Sequence, residues 1–414
     1  MIKESSTNDP RSNLSAEASP ARIDWLDGLR ALAVGCVVLV HSALHVSQVP
    51  NLVAKICQLG QYGVQLFFVI SALTIYFTLE LHLGRNESVL SWYVRRFFRI
   101  APIYYAAIVC YTAEHFLTGR IGWQHTGEDG GLRTILANVV FLHGWIRNGN
   151  NVVVPGGWSI SVEMSFYVIA PLLFVFITRR MWWPAALAVV VPLCLVATYL
   201  AQLRASGSGN VSNNDFLYFW PLTQFPVFFL AIALAQRTRR WLYTDISTPI
   251  ALVIWATIVG AAAFLLGAFC GTWSNHMHLL APTLFGIGSC CLVLLARGQL
   301  KSFFANSFLV RIGGLSYSIY ITHFIFLDAL RFLLLHFSVN RYLPPMVQLS
   351  MLAMVTFALS AASSIVTRRL IEQPGVHFGA RLARRVSGLK RAAKWPALPR
   401  LSASEIARLS NEFK

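Results

Sequence analysis

Apolar stretches of roughly twenty residues recur along nearly the whole chain, separated by short polar interruptions, and this restricts the fold more than any motif does. A soluble domain has too little interior to hide so many of them. In hydrocarbon each one forms a helix, because a helix satisfies its own backbone hydrogen bonds without water. The composition agrees: 56% of the 414 residues are hydrophobic and 12% charged, against about half and a quarter in soluble domains. The expected fold is therefore all-α, a polytopic membrane protein with about ten transmembrane helices. They are placed near 29–47, 61–80, 100–118, 159–178, 182–202, 221–236, 247–270, 279–296, 312–337 and 346–367. The segment 132–143, LRTILANVVFLH, is too short to cross and reads as a re-entrant or interfacial element.

A net charge of +17 invites comparison with nucleic-acid-binding proteins, but the basic residues sit in short clusters between apolar runs. That pattern is a topology signal, and no nucleic-acid partner is expected. Arg95, Arg96 and Arg99, then Arg179 and Arg180, then residues 237–240 and the C-terminal tail all fall on one side. That side is the cytoplasm if the N-terminus is cytoplasmic, so both termini are expected there. Three regions follow: a disordered cytoplasmic tail over 1–22, a membrane domain over 23–375, and a basic cytoplasmic tail over 376–414 suited to anionic lipid. The seven cysteines lie mostly within apolar runs and suggest neither a disulfide framework nor a zinc site.

Ionisable side chains inside a bilayer are costly, so each one is a candidate for function. Arg30 and His41 lie three turns apart on nearly one face of the first helix, about 16 Å along its axis. His41 is a candidate general base and Arg30 a candidate phosphate or oxyanion partner. The pair is equally compatible with an interhelical hydrogen bond and a simple positive anchor. His45, one turn beyond His41, lacks the carboxylate or cysteine that would complete a metal site, so no metal is expected. Arg96 and Arg99 share a face of the third helix and suit the phosphates of a nucleotide-bearing donor, or serve only topology. Glu163, shortly after Trp158, is placed to orient His41, to bind acceptor hydroxyls or to make a structural ion pair. His323 closes the segment SYSIYITH, which also supplies Tyr317; these two and Trp158 are candidates for acceptor binding or support.

The order of these motifs resembles the membrane acyltransferase-3 family, which includes O-acetyltransferases of bacterial lipopolysaccharide, exopolysaccharide and nodulation factors. LDGLRALAVGCVVLVH resembles the family's first helix, so the roles of its Arg and His carry onto Arg30 and His41. FFVISALTIY at 67–76, RRFFRIAP with Arg96 and Arg99, and GGWSISVEMSFY with Glu163 are similar to the next three motifs. LSYSIYITH and LIEQP at 370–374 resemble the last two, so the likeness spans roughly 23 to 375. Ala72 stands where the family usually has Gly, and Met164 where it often has a second Glu.

The resemblance implies a multi-pass protein of the bacterial inner membrane, with acyl-CoA, most commonly acetyl-CoA, as co-substrate and a glycan or glycolipid as acceptor. Arg30, Arg96 and Arg99 would hold the donor, and His41 with Glu163 would carry out catalysis. Membrane lipids are the other expected partners. A proton-coupled exporter of a polar metabolite and a non-catalytic scaffold stay open at this point, although no internal repeat favours a transporter.

Overall fold

The computed structural model describes residues 23–85, 87–118, 131–147, 149–179, 183–206, 212–243, 249–270, 279–339 and 342–389. The expected tail over 1–22, and the part of the C-terminal tail beyond 389, lie outside them. Among the described residues there is no strand, so the all-α reading holds.

The first helix, α1 (Asp24–Leu44), begins with Asp24 and Asp27, where the helix dipole favours negative charge. The short α2 (Asn51–Gln58) and a 3-10 turn lead into α3 (Gly63–Gly84). The next helix, α4 (Val89–Thr118), starts well before the expected 100. Arg95, Arg96 and Arg99 lower the hydropathy of its first half without opposing helix formation. A one-sided helix, α5 (Leu132–Val139), lies inside the segment judged too short to cross, exposing Leu132 and Leu136 while burying Ala137 and Asn138.

After a 3-10 turn at His143–Trp145 come α6 (Trp158–Arg179), α7 (Trp183–Ser206), α8 (Ser212–Phe219) and α9 (Pro221–Tyr243). Then α10 (Ile250–Ala268) and α11 (Ala281–Arg297) form an adjacent pair. The window expected at 312–337 divides into α13 (Ser307–Gly313), preceded by α12 (Lys301–Phe304), and α14 (Ser316–His336). Last come α15 (Pro345–Thr367) and α16 (Gln373–Leu389). A π-helical turn over Arg368–Glu372 joins them. Helix thus continues across residue 375, where a tail was expected, and α16 packs on α4 with the Phe98 and Phe378 rings 5.1 Å apart.

A described helix lies in each of the ten expected windows, and six segments among the described residues are long and apolar enough to cross a membrane. Shorter apolar helices lie in α6, α7 and α11, while α4 has the length but carries three arginines. The apolar surface agrees with a bilayer. The pair α10·α11 is built from small residues, since α10 buries Ala256, Gly260, Ala263 and Gly267 and turns Ile254, Ile258 and Leu265 outward. Packing through small residues is how helices associate where lipid tails are as apolar as leucine, and outward-facing Ile and Leu are the lipid contact.

The core lies where α1, α3, α4, α6, α9 and α14 meet, with Leu29, Val34, Val37, Ile70, Leu73, Tyr104, Phe166, Phe228 and Ile319 fully enclosed. Near its start α1 crosses α13 at backbone contact. A Cβ on Gly28 would fall 1.9 Å from the Phe304 carbonyl oxygen, and one on Gly313 would fall 1.8 Å from that of Asp27. Only glycine allows this approach, which fixes the Arg30 end of α1 against the turn that starts α14.

Candidate active site

Two polar centres sit on α1. At the first, Arg30 donates to Asp27 Oδ1 at 2.5 Å and to Thr74 Oγ1 at 3.1 Å. Arg96 donates to the Thr74 carbonyl at 2.9 Å and to Thr78 Oγ1 at 2.6 Å. Its guanidinium lies 5.7 Å from the Trp92 ring centre and 5.8 Å from that of Tyr167, within cation–π range. Arg99 is exposed on the same helix, and its charge reaches both Arg30 and Arg96. The three expected donor-binding arginines therefore lie near one another, and Arg30 and Arg96 are held on α3 by threonines that themselves bond back to the preceding turn.

Glu163 belongs to this first centre. Ser71 Oγ donates to its Oε1, Tyr167 donates to the same oxygen at 2.6 Å, and its charge reaches Arg30, Arg96 and Tyr317. The expectation that Glu163 orients His41 finds no such contact. Placed one turn before Tyr167, the carboxylate is drawn to the guanidinium groups, where opposite charge compensates desolvation. Tyr317 also faces this centre, donating to the Ile100 carbonyl at 3.0 Å. Trp158 is buried in an aromatic box with its ring 4.8 Å from Phe219 and 6.0 Å from Phe68, so its observed contacts are packing.

The second centre is a pair of imidazoles. His41 Nδ1 lies 3.1 Å from His323 Nε2, and His323 Nδ1 lies 2.7 Å from the Tyr320 carbonyl oxygen. A carbonyl can only accept, so a neutral His323 carries its proton on Nδ1 and presents a bare Nε2. His41 must then donate from Nδ1, and the Val37 carbonyl is a further backbone partner of its ring. A neutral His41 in this arrangement keeps its Nε2 lone pair unprotonated. His323 is fully enclosed, whereas His41 keeps some exposure. Phe324 flanks both rings, at 4.5 Å from His41 and 4.1 Å from His323.

The connection before α6 closes over this pair. Gly156, at φ +75°, accepts from Tyr320 Oη at 2.9 Å, and Ser159 Oγ donates to that hydroxyl at 2.9 Å. The connection is itself anchored through His143, whose Nε2 lies 2.9 Å from the Gly157 carbonyl, and by Tyr104, which donates to Asn138 at 2.8 Å. Desolvation holds the His143 imidazole down to about 4. Beyond the His41 end of α1, Ser47, Gln48, Tyr342, Pro344 and Gln348 line a cavity of about 460 Å³.

Of the expected site residues, the structure thus unites Arg30, Arg96, Arg99, Glu163 and Tyr317 in one centre and His41 with His323 in another. Asp27, Ser71, Thr74, Thr78 and Tyr167 were not singled out for this site. Their hydroxyl and carboxyl groups acquire meaning only once α1, α3, α4 and α6 are packed. Among the described residues no three His, Cys, Asp or Glu side chains come close enough to hold a metal ion.

The Acyltransferase domain family matches residues 23–365 of this chain. A similar curated protein is Acyltransferase MdmB of Streptomyces mycarofaciens, 25% identical over 334 residues, covering 73% of this chain and 78% of that protein. No solved structure matches. With most of its length matched, including both polar centres of α1, this chain belongs to the acyltransferase-3 type of the Acyltransferase domain family and is a membrane acyltransferase.

Proposed function

We propose that this acyltransferase takes an acyl group, most simply acetyl, from cytoplasmic acyl-CoA and delivers it to a hydroxyl of a glycan or glycolipid on the other side of the membrane. In this reading all ten long helices cross, α5 and the connection to α6 are re-entrant, and both termini are cytoplasmic in a bacterial inner membrane. Arg30, Arg96 and Arg99 lie towards the cytoplasm and hold the phosphates of the donor, with Glu163 limiting their mutual repulsion. The thioester reaches inward to His41, about 16 Å along α1. The cavity beyond α1 faces the acceptor.

The observation that carries this reading is the chain of hydrogen bonds from the Tyr320 carbonyl through His323 to His41, which leaves His41 Nε2 as a base. That nitrogen takes the proton of the acceptor hydroxyl as its oxygen attacks the thioester carbonyl. The tetrahedral intermediate expels the thiolate with the C–S electron pair. Protonated His41 then returns the proton to sulfur, giving free CoA and an ester. His323 stabilises the imidazolium by accepting its Nδ1–H, the part an orienting residue plays in a catalytic triad.

The test uses purified protein in lipid nanodiscs, with acetyl-CoA consumption followed by release of free thiol. His41→Ala is expected to lower turnover at least about a hundredfold while the protein still inserts and melts normally. Full turnover by that variant would remove the mechanism. A wild type that moves protons across the membrane without consuming any acyl-CoA would instead favour a transporter.

A further inference from the structure

The helix α15 carries hydroxyls that none of the site residues above uses. Thr356, Ser360 and Ser364 recur at every fourth position and are fully enclosed, and their hydroxyls have no hydrogen-bond partner among the described residues. Elsewhere in this protein apolar helices treat such residues differently. Ser42, Thr74, Thr78, Thr198, Thr238 and Thr322 each return the hydroxyl to the carbonyl four residues earlier. An enclosed hydroxyl without a partner is costly, and alanine at these positions would remove that cost. Three in a line on the inward side of one helix therefore call for a polar ligand.

The depth of the line is fixed by its neighbours. Ser363 Oγ lies 3.5 Å from Thr322 Oγ1, the residue before His323, so the turn from Ser360 to Ser364 lies level with the two imidazoles. Arg368 is the next position in the series, about 6 Å further along. It donates to the Gly314 carbonyl at 3.1 Å, beside the turn that abuts Asp27 and the Arg30 end of α1. One turn on, Glu372 accepts from Ser318 at 3.2 Å within the π-helical turn. Since α15 packs against both α1 and α14, the series Arg368–Ser364–Ser360 runs beside the line from Arg30 to His41. Both lines have a cation at the same end.

We propose that Ser364 and Ser360 bind the amide groups of the donor's pantetheine arm, making α15 the second wall of the donor passage. The inference rests on the acyl-CoA reading above and adds a site to it. The arm is a narrow chain with two amides, each offering one donor and one acceptor. A serine hydroxyl can serve either, which an apolar wall cannot. In the present conformation the line is closed against α1 and α14, so the arm enters by parting α15 from them and supplies the partners that the hydroxyls lack. Thr356 lies past the imidazoles, beyond the reach of the arm.

The experiment uses the full chain in nanodiscs, with the double variant Ser360→Ala/Ser364→Ala and the control Thr356→Val. Two lost hydrogen bonds are expected to raise the KM for acetyl-CoA about tenfold and leave kcat nearly unchanged. Pantetheine, the arm without the nucleotide, should compete with acetyl-CoA, with an inhibition constant raised about tenfold in the double variant. An adenosine bisphosphate lacking the arm should inhibit both proteins equally, and Thr356→Val should leave the donor KM unchanged. An unchanged KM for acetyl-CoA in the double variant, or pantetheine that fails to compete in the wild type, overturns the proposal. If His41-dependent turnover persists in that case, only the α15 wall is lost; a wild type that consumes no acetyl-CoA removes both readings. Acetyl-CoA should also raise the melting temperature of His41→Ala protein and do so less with the two serines replaced, a readout independent of turnover.

Discussion

Replacing His323 by leucine removes the nitrogen 3.1 Å from His41 Nδ1 and keeps a side chain of similar bulk in a fully enclosed position. The cost to catalysis follows from how that bond changes during the reaction. In the resting enzyme it joins two neutral rings and contributes about 1 kcal/mol. Once His41 has taken the acceptor's proton, the donor is charged and the same bond contributes about 1.5–3 kcal/mol. Only the increase, about 0.5–2 kcal/mol, lowers the barrier, because interactions equal in ground and transition states do not accelerate the chemical step. The expected loss is therefore about 2- to 30-fold in kcat, with the KM for acetyl-CoA unchanged. The Val37 carbonyl remains a partner of the His41 ring in this variant. Thiol release in nanodiscs measures it. His323→Gln, whose side-chain carbonyl can accept in place of the imidazole, should recover part of the rate. If His323→Leu turns over within twofold of the wild type, or changes only KM, the relay from Tyr320 to His41 is not part of the reaction.

Two further outcomes are expected from the connection that covers the imidazoles. Gly156→Ala places a methyl 3.0 Å from Tyr320 Oη and 3.3 Å from Phe324 at a φ of +75°, so it should cost about 1–2 kcal/mol of stability, read by thermal melting. Because Phe324 flanks His41, kcat should fall further than the loss of folded protein accounts for. His143 is held at about 4 in the folded protein by desolvation, against about 6.5 in an unfolded chain. Its contribution is thus complete above about pH 6.5, is lost as pH falls from there towards about 4, and levels off below. Acidification from about pH 7 to about pH 5 should remove about 2 kcal/mol, seen as a lower melting temperature, and less in His143→Gln.

The helical framework was largely readable from hydropathy, because in a bilayer each span is determined by its own twenty or so residues. So was the common face of Arg30 and His41, which depends only on helical period. The partners of those residues were not readable in the same way. His323 meets His41 across 282 positions, and nothing local to either distinguishes that pairing from two separate interhelical bonds. Glu163 shows the same limit: its sequence position is compatible with orienting His41, with binding acceptor hydroxyls and with an ion pair, and only packing separates them. The connection before α6 brings the start of that helix in against Tyr320, so the carboxylate reaches Ser71 on α3 and the arginines beyond. The early start of α4 was concealed by its arginines, and the serines of α15 looked like ordinary residues of an apolar helix until their hydroxyls proved to have no backbone partner.

The unbroken passage from α15 through Arg368–Glu372 into α16 has a mechanical consequence. A stiff rod gripped at one end transmits any tilt to the other, and α16 is gripped by α4 at Phe98, beside Arg99. If α15 swings aside as proposed, α16 would pull on α4 and the arginines it carries. On the proposed reading, loading the anionic head of the donor and unsealing the way for its arm would then be one stroke of a single lever.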